Sequence, residues 1–279
     1  MKERIYHTLT GEIHYWMHRT ETEHNSSDPD FWLIFLPGLT ADHRIFDKQI
    51  EFFQKNYHCL VWDAPAHGMS RPFVLHFSLD DLAHYLHDIL EIEQIEKFIL
   101  VGQSMGGYIA QTYEQRYGGK TQGIVSIDSA PIQREYYEKW ELLSLKHTEG
   151  MYKSFPWKLL ISMSVTGNAE TAYGQECMRN IMLDYEKYEF CCLAGHGFRI
   201  LAEKIEQDDE AKITCPVLLL CGENDRAGFV KRYNEMWTKR TEYPLVWIPN
   251  AGHISNTDNP EAVNAQIQHF VKFVEEKRK

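Results

Sequence analysis

The sequence lacks both the cysteine spacing of a metal site and an apolar run long enough to cross a membrane. Its longest apolar run, Phe31 to Leu36, has the length of a strand and stops at Pro37-Gly38. The N-terminal segment MKERIYHTLTGEIHYWMH has no apolar stretch typical of a signal peptide. The cysteines form no C-x-x-C pair; they are Cys59, Cys177, Cys191, Cys192, Cys215 and Cys221. We therefore expect a protein of the reducing cytoplasm that neither spans a membrane nor holds a metal.

The sequence also has little positive charge. Its net charge is −11 at pH 7, which argues against a nucleic-acid surface, since such a surface needs clustered Lys and Arg, and disfavours anionic membranes. Internal repeats and low-complexity segments are absent, and 43% of the residues are hydrophobic, which is ample for a large core. These features favour a globular protein whose partner is a small-molecule substrate, and they indicate no particular oligomeric state.

Short apolar runs alternate with amphipathic stretches along most of the chain. The segments RIYHTLT and EIHYWMH meet at Gly11 and predict a hairpin, and the polar segment 20–30 predicts a loop. Further strands are predicted at FWLIFL, HCLVW, KFILV, GIVSID, CPVLLLCG and LVWIP. Helical patterns separate these strands, among them one that Ser78 caps and a last one that Asn259 caps. The fold class predicted is α/β, with a mostly parallel, doubly wound sheet of about eight strands.

The alternation lapses between residues 130 and 213, an interval too long for a loop in a compact domain. Its composition is helical and rich in large apolar side chains, namely Tyr136, Tyr137, Trp140, Phe155, Trp157, Met163, Met182 and Tyr185. We interpret it as an inserted helical cap. Residues 1–129 and 214–279 are then the core that carries the cap.

A serine stands between glycines where one predicted strand ends and a helix begins. In KFILVGQSMGGYIAQ, Gly102 and Gly106 flank Ser104 in the pattern G-x-S-x-G. A nucleophilic serine at such a tight turn has strained backbone geometry, so side chains at the two glycine positions would clash. The following helix also directs its first N–H groups at the same point, where they stabilise negative charge. The alternative is a glycine turn with an idle serine.

A serine nucleophile needs a base, and the base needs a carboxylate to orient it. His253 follows the last predicted strand, in the short loop IPNAGHISNTDNP. Asp225 follows the strand before it, in CGENDRAG. Because parallel sheets place their sites at the carboxyl ends of the strands, we expect both side chains at the edge where Ser104 lies.

These motifs together resemble the α/β-hydrolase family, over nearly the whole chain outside the cap. The resemblance implies that Ser104 is the nucleophile, His253 the general base and then acid, and Asp225 the group that fixes the imidazole tautomer. It also implies an oxyanion hole made by the backbone N–H groups of Met105 and Leu39. The motifs that carry it are GQSMGG, GENDRAG, NAGHISNTDNPEAV, DAPAHGMS and FLPGLTADHRIFD.

The chain departs from the family pattern at two positions and leaves the acid open. Pro37-Gly38 stands where the family has His-Gly, so a hydrogen bond that steadies the oxyanion loop is missing. Ala66 stands where a glycine is usual, a change that we expect to be tolerated. Some family members carry the acid one strand earlier, which makes Asp128 the alternative to Asp225.

Three other histidines favour structural roles. His67 lies in a family motif, and we expect it to be buried and bonded to backbone. His84 and His87 stand at i and i+3 of a helix like a metal pair, but a third ligand is missing. No cofactor and no metal are predicted.

The function predicted is hydrolysis of a small or medium, uncharged ester through an acyl-enzyme intermediate. Relatives with this triad also cleave carbon–carbon bonds or lactones or act as lyases, which is the second hypothesis. A third, of another class, is a ligand-binding or signalling protein that keeps the fold and turns over little.

Overall fold

A computed structural model describes residues 1–20, 31–209 and 213–277 of the chain. Most of the polar segment 20–30, predicted as a loop, lies outside the described residues, as do residues 210–212 of the predicted cap. The strands are β1 (Lys2–His7), β2 (Glu12–His18), β3 (Phe31–Leu36), β4 (His58–Trp62), β5 (Lys97–Gln103), β6 (Thr121–Ile127), β7 (Val217–Gly222) and β8 (Leu245–Ile248).

These strands form one sheet of eight, in the order β1-β2-β4-β3-β5-β6-β7-β8. β1 and β2 pair antiparallel as the predicted hairpin, and β2 pairs antiparallel with β4. Every other neighbouring pair is parallel. The predicted fold class, a mostly parallel α/β sheet, is confirmed.

The helices follow the strands as the apolar spacing predicts. The Ser78 side chain accepts a hydrogen bond from the Asp81 N–H, and the Asp81 carboxylate accepts one from the Ser78 N–H. The Asn259 side chain accepts from the Ala262 N–H, so both predicted caps are confirmed. The helices are α1 (Asp47–Phe53), α2 (Leu79–Ile92), α3 (Met105–Tyr117), α4 (Lys139–Lys146), α5 (Thr148–Ser154), α6 (Trp157–Asn168), α7 (Ala172–Leu183), α8 (Lys187–Gln207), α9 (Val230–Thr241), α10 (Ser255–Asp258) and α11 (Pro260–Lys277). None of the described helices has the length and apolar character needed to cross a bilayer.

The order of the strands places the helices on both faces of the sheet. The chain moves one way from β3 to β4, then the other way from β4 to β5. Because such crossovers are right-handed, α1 and α2 lie on opposite faces, with α3 beside α2 and α11 beside α1. β3, β4 and β7 are buried at every position, as their continuous apolar runs predict.

The reversal of winding also positions a crevice. β3 lies between β4 and β5, so the chain leaves β3 and β5 toward opposite sides of the sheet. Loops after two such strands diverge, and the gap between them is where open α/β sheets bind ligands. The loop after β3 contains Leu39 and the turn after β5 contains Ser104.

Five helices, α4 to α8, and a short 3₁₀ helix (Arg134–Tyr136) lie between β6 and β7, as the helical cap predicts. Phe190 of α8 packs its ring against Tyr152, Trp157 and Tyr185, which gives the cap a small core of its own. Two arginines tie this cap to loops of the sheet. The Arg71 Nη1 lies 3.0 Å from the Glu189 carboxylate, and the Arg44 Nη2 lies 2.6 Å from that of Asp184.

Candidate active site

Ser104 occupies a strained turn between β5 and α3. Its backbone angles are φ 49° and ψ −115°, values that a residue with a side chain rarely adopts. β5 ends at Gln103 and α3 begins at Met105, so Ser104 alone makes the turn from strand to helix. The strained backbone lifts the hydroxyl out of the sheet.

The glycines around the serine are required by close backbone contacts. A Cβ at Gly102 would lie 2.3 Å from the Gly106 carbonyl oxygen. A Cβ at Gly106 would lie 1.9 Å from the carbonyl oxygen of Leu36, at the end of β3. Neither neighbour is a movable side chain, so both positions exclude every other residue. The prediction that side chains would clash there is confirmed.

His253 and Asp225 complete a chain of hydrogen bonds to the serine. The His253 Nε2 lies 2.9 Å from the Ser104 Oγ, and the His253 Nδ1 lies 2.9 Å from the Asp225 Oδ2. The second oxygen of Asp225 accepts a 2.7 Å bond from the Ala227 N–H, which fixes the carboxylate. The structure thus brings together, in one chain of hydrogen bonds, the three side chains that the sequence pointed to.

Two opposed effects set the proton affinity of His253. Burial of the imidazole, the largest single cause, disfavours its charged form, but the carboxylate of Asp225 and, less strongly, that of Asp128 together favour it more. The pKa of His253 therefore lies above its ordinary value of 6.5.

Asp128, the alternative acid, makes no hydrogen bond to the imidazole. Its Oδ1 accepts a 2.7 Å bond from the Gly222 N–H, and its Oδ2 accepts a 2.7 Å bond from the Ser255 N–H. Burial, and then the neighbouring Asp225 carboxylate, raise the pKa of Asp128 above its usual range. Asp128 thus joins the end of β7 to the loop that carries His253.

Leu39 and Met105 both lie beside the serine. Met105 is the first residue of α3, so its N–H has no acceptor within the helix. The Leu39 loop runs against the serine turn, since a Cβ at Gly38 would lie 3.1 Å from the Ser104 Cβ. Leu39, Met105 and Ser104 line one cavity.

Other contacts support the loop after β3, where the histidine usual in the family is missing. The Leu39 side chain packs on Gly197 of α8, where a Cβ would lie 2.3 Å from the Leu39 Cδ1. Gln103 contacts the same loop at Gly38, where a Cβ would lie 2.3 Å from the Gln103 Oε1, and its Nε2 donates a 2.6 Å bond to the His253 carbonyl oxygen. Sequence reasoning missed both residues, because neither Gly197 nor Gln103 carries a signal in the chain.

The DAPAHGMS segment braces the same loop. The buried Asp63 carboxylate accepts bonds of 2.8 Å from the His43 N–H and 2.7 Å from the Met69 N–H. His67 is buried with its Nδ1 2.9 Å from the Pro65 carbonyl oxygen, so its predicted structural role is confirmed. Ala66 has φ 68°, in the left-handed region that favours glycine, so the tolerated change carries strain.

Among the described residues, two groups of side chains lie close enough to ligate a metal: Asp42, His43 and Asp63, and Asp128, Cys221 and Asp225. Their carboxylates already accept hydrogen bonds from the protein. Arg44 grips both oxygens of Asp42, through Nε at 2.9 Å and Nη2 at 2.6 Å. Asp128 and Asp225 are bonded as described above, although Cys221 lies near them. On α2, His84 lies 2.9 Å from the Tyr117 hydroxyl and His87 stacks on the Tyr117 ring. Hydrogen bonds and ring packing thus explain the positions of these aspartates and of the two histidines on α2.

A cavity of about 560 Å³ opens above Ser104 and His253. The cap supplies most of the apolar wall of this cavity, and the lining shows which cap residues face the serine. Tyr137, Phe155 and Met163, from the aromatic-rich segment, are among them, whereas Trp140 lies on the surface. Further apolar side chains in the wall are Leu145, Tyr152, Leu160, Met178, Phe198 and Leu201.

Comparison with known proteins agrees with this geometry. The chain is 25% identical over 257 residues to a 2-succinyl-6-hydroxy-2,4-cyclohexadiene-1-carboxylate synthase of Serratia proteamaculans, covering 86% of this chain and 92% of that protein. It is 24% identical to 3-oxoadipate enol-lactonase 2 of Acinetobacter baylyi, covering 86% and 88%. The fold matches a thermophilic esterase from Thermogutta terrifontis with a TM-score of 0.77 and 18% identity, covering 99% of this chain and all of that one.

The chain also matches a whole protein family. The sequence pattern of the alpha/beta hydrolase family covers residues 33–266, from β3 to α11. That span includes the serine turn, the acid turn and the histidine loop described above. The chain belongs to the alpha/beta hydrolase family.

Proposed function

We propose that this protein is a serine hydrolase that cleaves a carboxylic ester through an acyl-enzyme intermediate. The observation that carries the proposal is the hydrogen-bond chain from Asp225 through His253 to Ser104, with both links at 2.9 Å. In this proposal residues 130–213 form the cap over a core of residues 1–129 and 214–279. A reducing, cytoplasmic setting is part of the proposal, supported by six cysteines without a disulfide.

In the first half of the reaction, His253 takes the proton of Ser104 as the serine oxygen attacks the ester carbonyl. The carbonyl oxygen becomes an oxyanion, held by the N–H groups of Met105 and Leu39. His253 then gives its proton to the departing alkoxide. The alcohol leaves, and the acyl group stays bonded to Ser104.

In the second half, water replaces the alcohol. His253 takes a proton from water, whose oxygen attacks the acyl carbonyl and forms a second oxyanion in the same place. The intermediate collapses, Ser104 recovers its proton from His253, and the carboxylic acid leaves. Asp225 holds the imidazole in the required tautomer and stabilises its positive charge through both halves.

A lactone is the second candidate substrate. A lactone is a cyclic ester, and the same steps open it. The likeness to 3-oxoadipate enol-lactonase 2 favours this candidate. Carbon–carbon cleavage and lyase chemistry with the same triad stay as further enzymatic hypotheses. A low-turnover binding protein stays the hypothesis of another class.

The test measures turnover of a panel of simple esters and lactones, with the rate obtained by titrating the acid that is released. We expect hydrolysis by the wild type and a loss of about 10⁵-fold in kcat for Ser104→Ala. Ser154→Ala, at an exposed serine of the cap, is the matched control and should keep wild-type activity. Equal turnover by Ser104→Ala and wild type would refute the mechanism. Turnover of lactones alone would favour the second candidate.

A further inference from the structure

The cavity above Ser104 is large for a small ester. Its volume is about 560 Å³, within the range of sites that hold drug-sized ligands. At about 30 Å³ for each non-hydrogen atom, the share of a water molecule in the liquid, it has room for roughly 20 such atoms. A short ester such as ethyl butanoate would fill less than half of this space. A substrate that fills the cavity therefore carries a longer chain or a larger group.

Apolar side chains line this cavity in its buried part. Polar groups such as the Ser164 hydroxyl and the Asn168 amide also belong to the wall, but most of the large side chains in it are apolar. Burial of an apolar chain against such a wall is favourable, and the gain grows with the area that leaves water. The buried aliphatic side chains of the wall include Leu160, Met178, Ala194 and Leu201.

Exposed residues of the wall mark the mouth of the cavity. They come from the cap helices α4, α5 and α6 and from the loop between β7 and α9. Met151, Met163 and Phe229 line the cavity and are nevertheless 52%, 48% and 42% exposed. We call these three side chains the apolar rim. The other exposed residues of the wall, among those described, are Ser144, Gly167, Arg226 and Gly228.

Apolar surface continues outward from the apolar rim. The exposed Trp140 ring meets the Phe229 ring edge-on at 5.8 Å. The exposed Leu159 precedes Met163 by one turn of α6, so the two share a face. Single exposed apolar side chains are ordinary, but adjacent ones beside a cavity are typical of a ligand site. Because the apolar rim belongs both to the cavity and to this surface, the ligand that reaches it is the chain of an ester bound at Ser104.

Arg226 brings a charge to the mouth, and this charge is paired. Its guanidinium lies 3.2 Å from the Glu170 carboxylate, and the side chain is largely exposed. An apolar chain can therefore pass along the apolar rim without removing this charge from water, a step that would cost free energy.

We propose that the substrate is an ester with an apolar chain of about ten carbons or more, which runs from Ser104 through the cavity to the apolar rim. The inference rests on the proposed ester hydrolysis and names its substrate class. Each methylene that leaves water inside the cavity strengthens binding by a factor of about four. Met151, Met163 and Phe229 are the specificity-determining residues, because they meet the end of the chain.

The test uses two series of esters, each measured below and above its aggregation concentration. In 1-monoacylglycerols the acyl chain grows from butanoyl to dodecanoyl, and in alkyl acetates the alcohol grows from butyl to decyl. In at least one series we expect kcat/KM of the dispersed ester to rise at least about 100-fold between the four-carbon and ten-carbon chains. Equal kcat/KM along both series would overturn the proposal. So would a rise that begins only once the ester aggregates, because the apolar rim would then meet a lipid surface.

The double variant Met151→Gln/Met163→Gln tests the apolar rim. Glutamine keeps the length and the helix propensity of methionine, but a chain that covers its amide removes that amide from water. We expect the ratio of kcat/KM for the ten-carbon ester to that for the four-carbon ester to fall at least about tenfold.

Leu183→Gln is the matched control for this double variant. Leu183 is exposed on α7 of the cap and does not line the cavity, so the ratio should match that of the wild type. An unchanged ratio in the double variant would overturn the proposal, as would an equal fall of the ratio in the control.

Binding to Ser104→Ala separates this proposal from the proposed function. Calorimetric titration of the four-carbon and ten-carbon esters into that variant needs no turnover. If the wild type hydrolyses no ester but the ten-carbon ester binds at least about 100-fold more tightly, the chain site stands and the proposed function fails. If both esters are hydrolysed with equal kcat/KM and bind equally, the chain site fails and the function stands.

Discussion

Asp128 follows β6 and Asp225 follows β7, and their carboxyl groups lie in one buried corner of the molecule, yet they bind different groups. Asp225 directs one oxygen to the His253 ring and the other to a turn of its own loop. Asp128 directs both oxygens to backbone N–H groups, of Gly222 and Ser255. Both residues are aspartates that follow the carboxyl end of a strand. They differ in the groups to which their oxygens are hydrogen-bonded.

This difference teaches which aspartate binds the imidazole directly, since Asp225 bonds to the ring and Asp128 acts on it only through space. A carboxylate in contact with the ring stabilises the imidazolium and fixes its tautomer. A carboxylate bound to two backbone groups holds loops in place. We infer that the site divides orienting the base and positioning its loop between two neighbouring aspartates.

The largest effect should come from Asp225→Asn. The amide keeps the shape of the side chain but removes the charge and favours the wrong tautomer of His253. We expect kcat/KM to fall about 10³- to 10⁴-fold, measured on the best ester of the panel. A loss of less than about tenfold would break the comparison and transfer the role of acid to Asp128.

Asp128→Asn should show the opposite pattern to Asp225→Asn, with a clear loss of stability and only a small loss of activity. One of the two backbone N–H groups would face an amide NH₂ in place of an acceptor and stay unsatisfied in a buried site. We expect the free energy of unfolding to fall by about 2 kcal/mol, measured by urea denaturation. The kcat/KM of the folded variant should fall less than about tenfold. A larger catalytic loss with unchanged stability would contradict this assignment.

The pH dependence should also distinguish the two carboxylates. His253 acts as a base only when neutral, so kcat/KM should rise with pH, through a midpoint above the ordinary histidine value of 6.5. In Asp225→Asn the midpoint should fall below that of the wild type, because burial still lowers the pKa of His253 and the main opposing charge is gone. In Asp128→Asn it should fall less.

A flat wild-type profile between about pH 5 and 8 would argue against His253 as the base. An equal fall of the midpoint in both variants would show that the carboxylates act on the imidazole alike. The same profiles measured on a fluorophosphonate reaction, in place of ester turnover, exclude a change of rate-limiting step.

The smallest effect should come from Ala66→Gly. This variant tests whether a change in stability alone alters kcat/KM. Glycine relieves the strain of φ 68°, but it also loosens the unfolded chain. We expect a net gain of about 0.5 kcal/mol in the free energy of unfolding. Because Ala66 bonds to Ser70 within its own turn and does not line the cavity above Ser104, kcat/KM should stay unchanged. A large change in kcat/KM would show that activity follows stability here, and would weaken the contrast between the aspartates.

The parts of the fold that the sequence predicts depend on local patterns. Continuous apolar runs such as FWLIFL predict strands buried on both faces, because only such strands tolerate them. Gly102 and Gly106 predict the serine turn because no other residue fits against the Gly106 and Leu36 carbonyls. The residues that make up each of these patterns lie within a few positions of one another in the sequence.

The parts that the sequence does not predict depend on contacts between distant segments. The clamp that Asp128 makes joins residues 94 and 127 positions away. The support that Gly197 gives to Leu39, and the hydrogen bond between the Tyr108 and Tyr137 hydroxyls, arise only when the cap packs over the core. The chain names the candidates for the acid, but only the packing shows that Asp225 is the one that bonds to the imidazole.

The most direct test of the account is the rate at which a fluorophosphonate probe modifies Ser104. The wild type, Asp225→Asn and Asp128→Asn are compared by intact mass, with each rate corrected for the folded fraction. The account predicts one adduct on Ser104, formed about 10³-fold more slowly in Asp225→Asn and less than tenfold more slowly in Asp128→Asn. A strong slowing in Asp128→Asn with a wild-type rate in Asp225→Asn would contradict it.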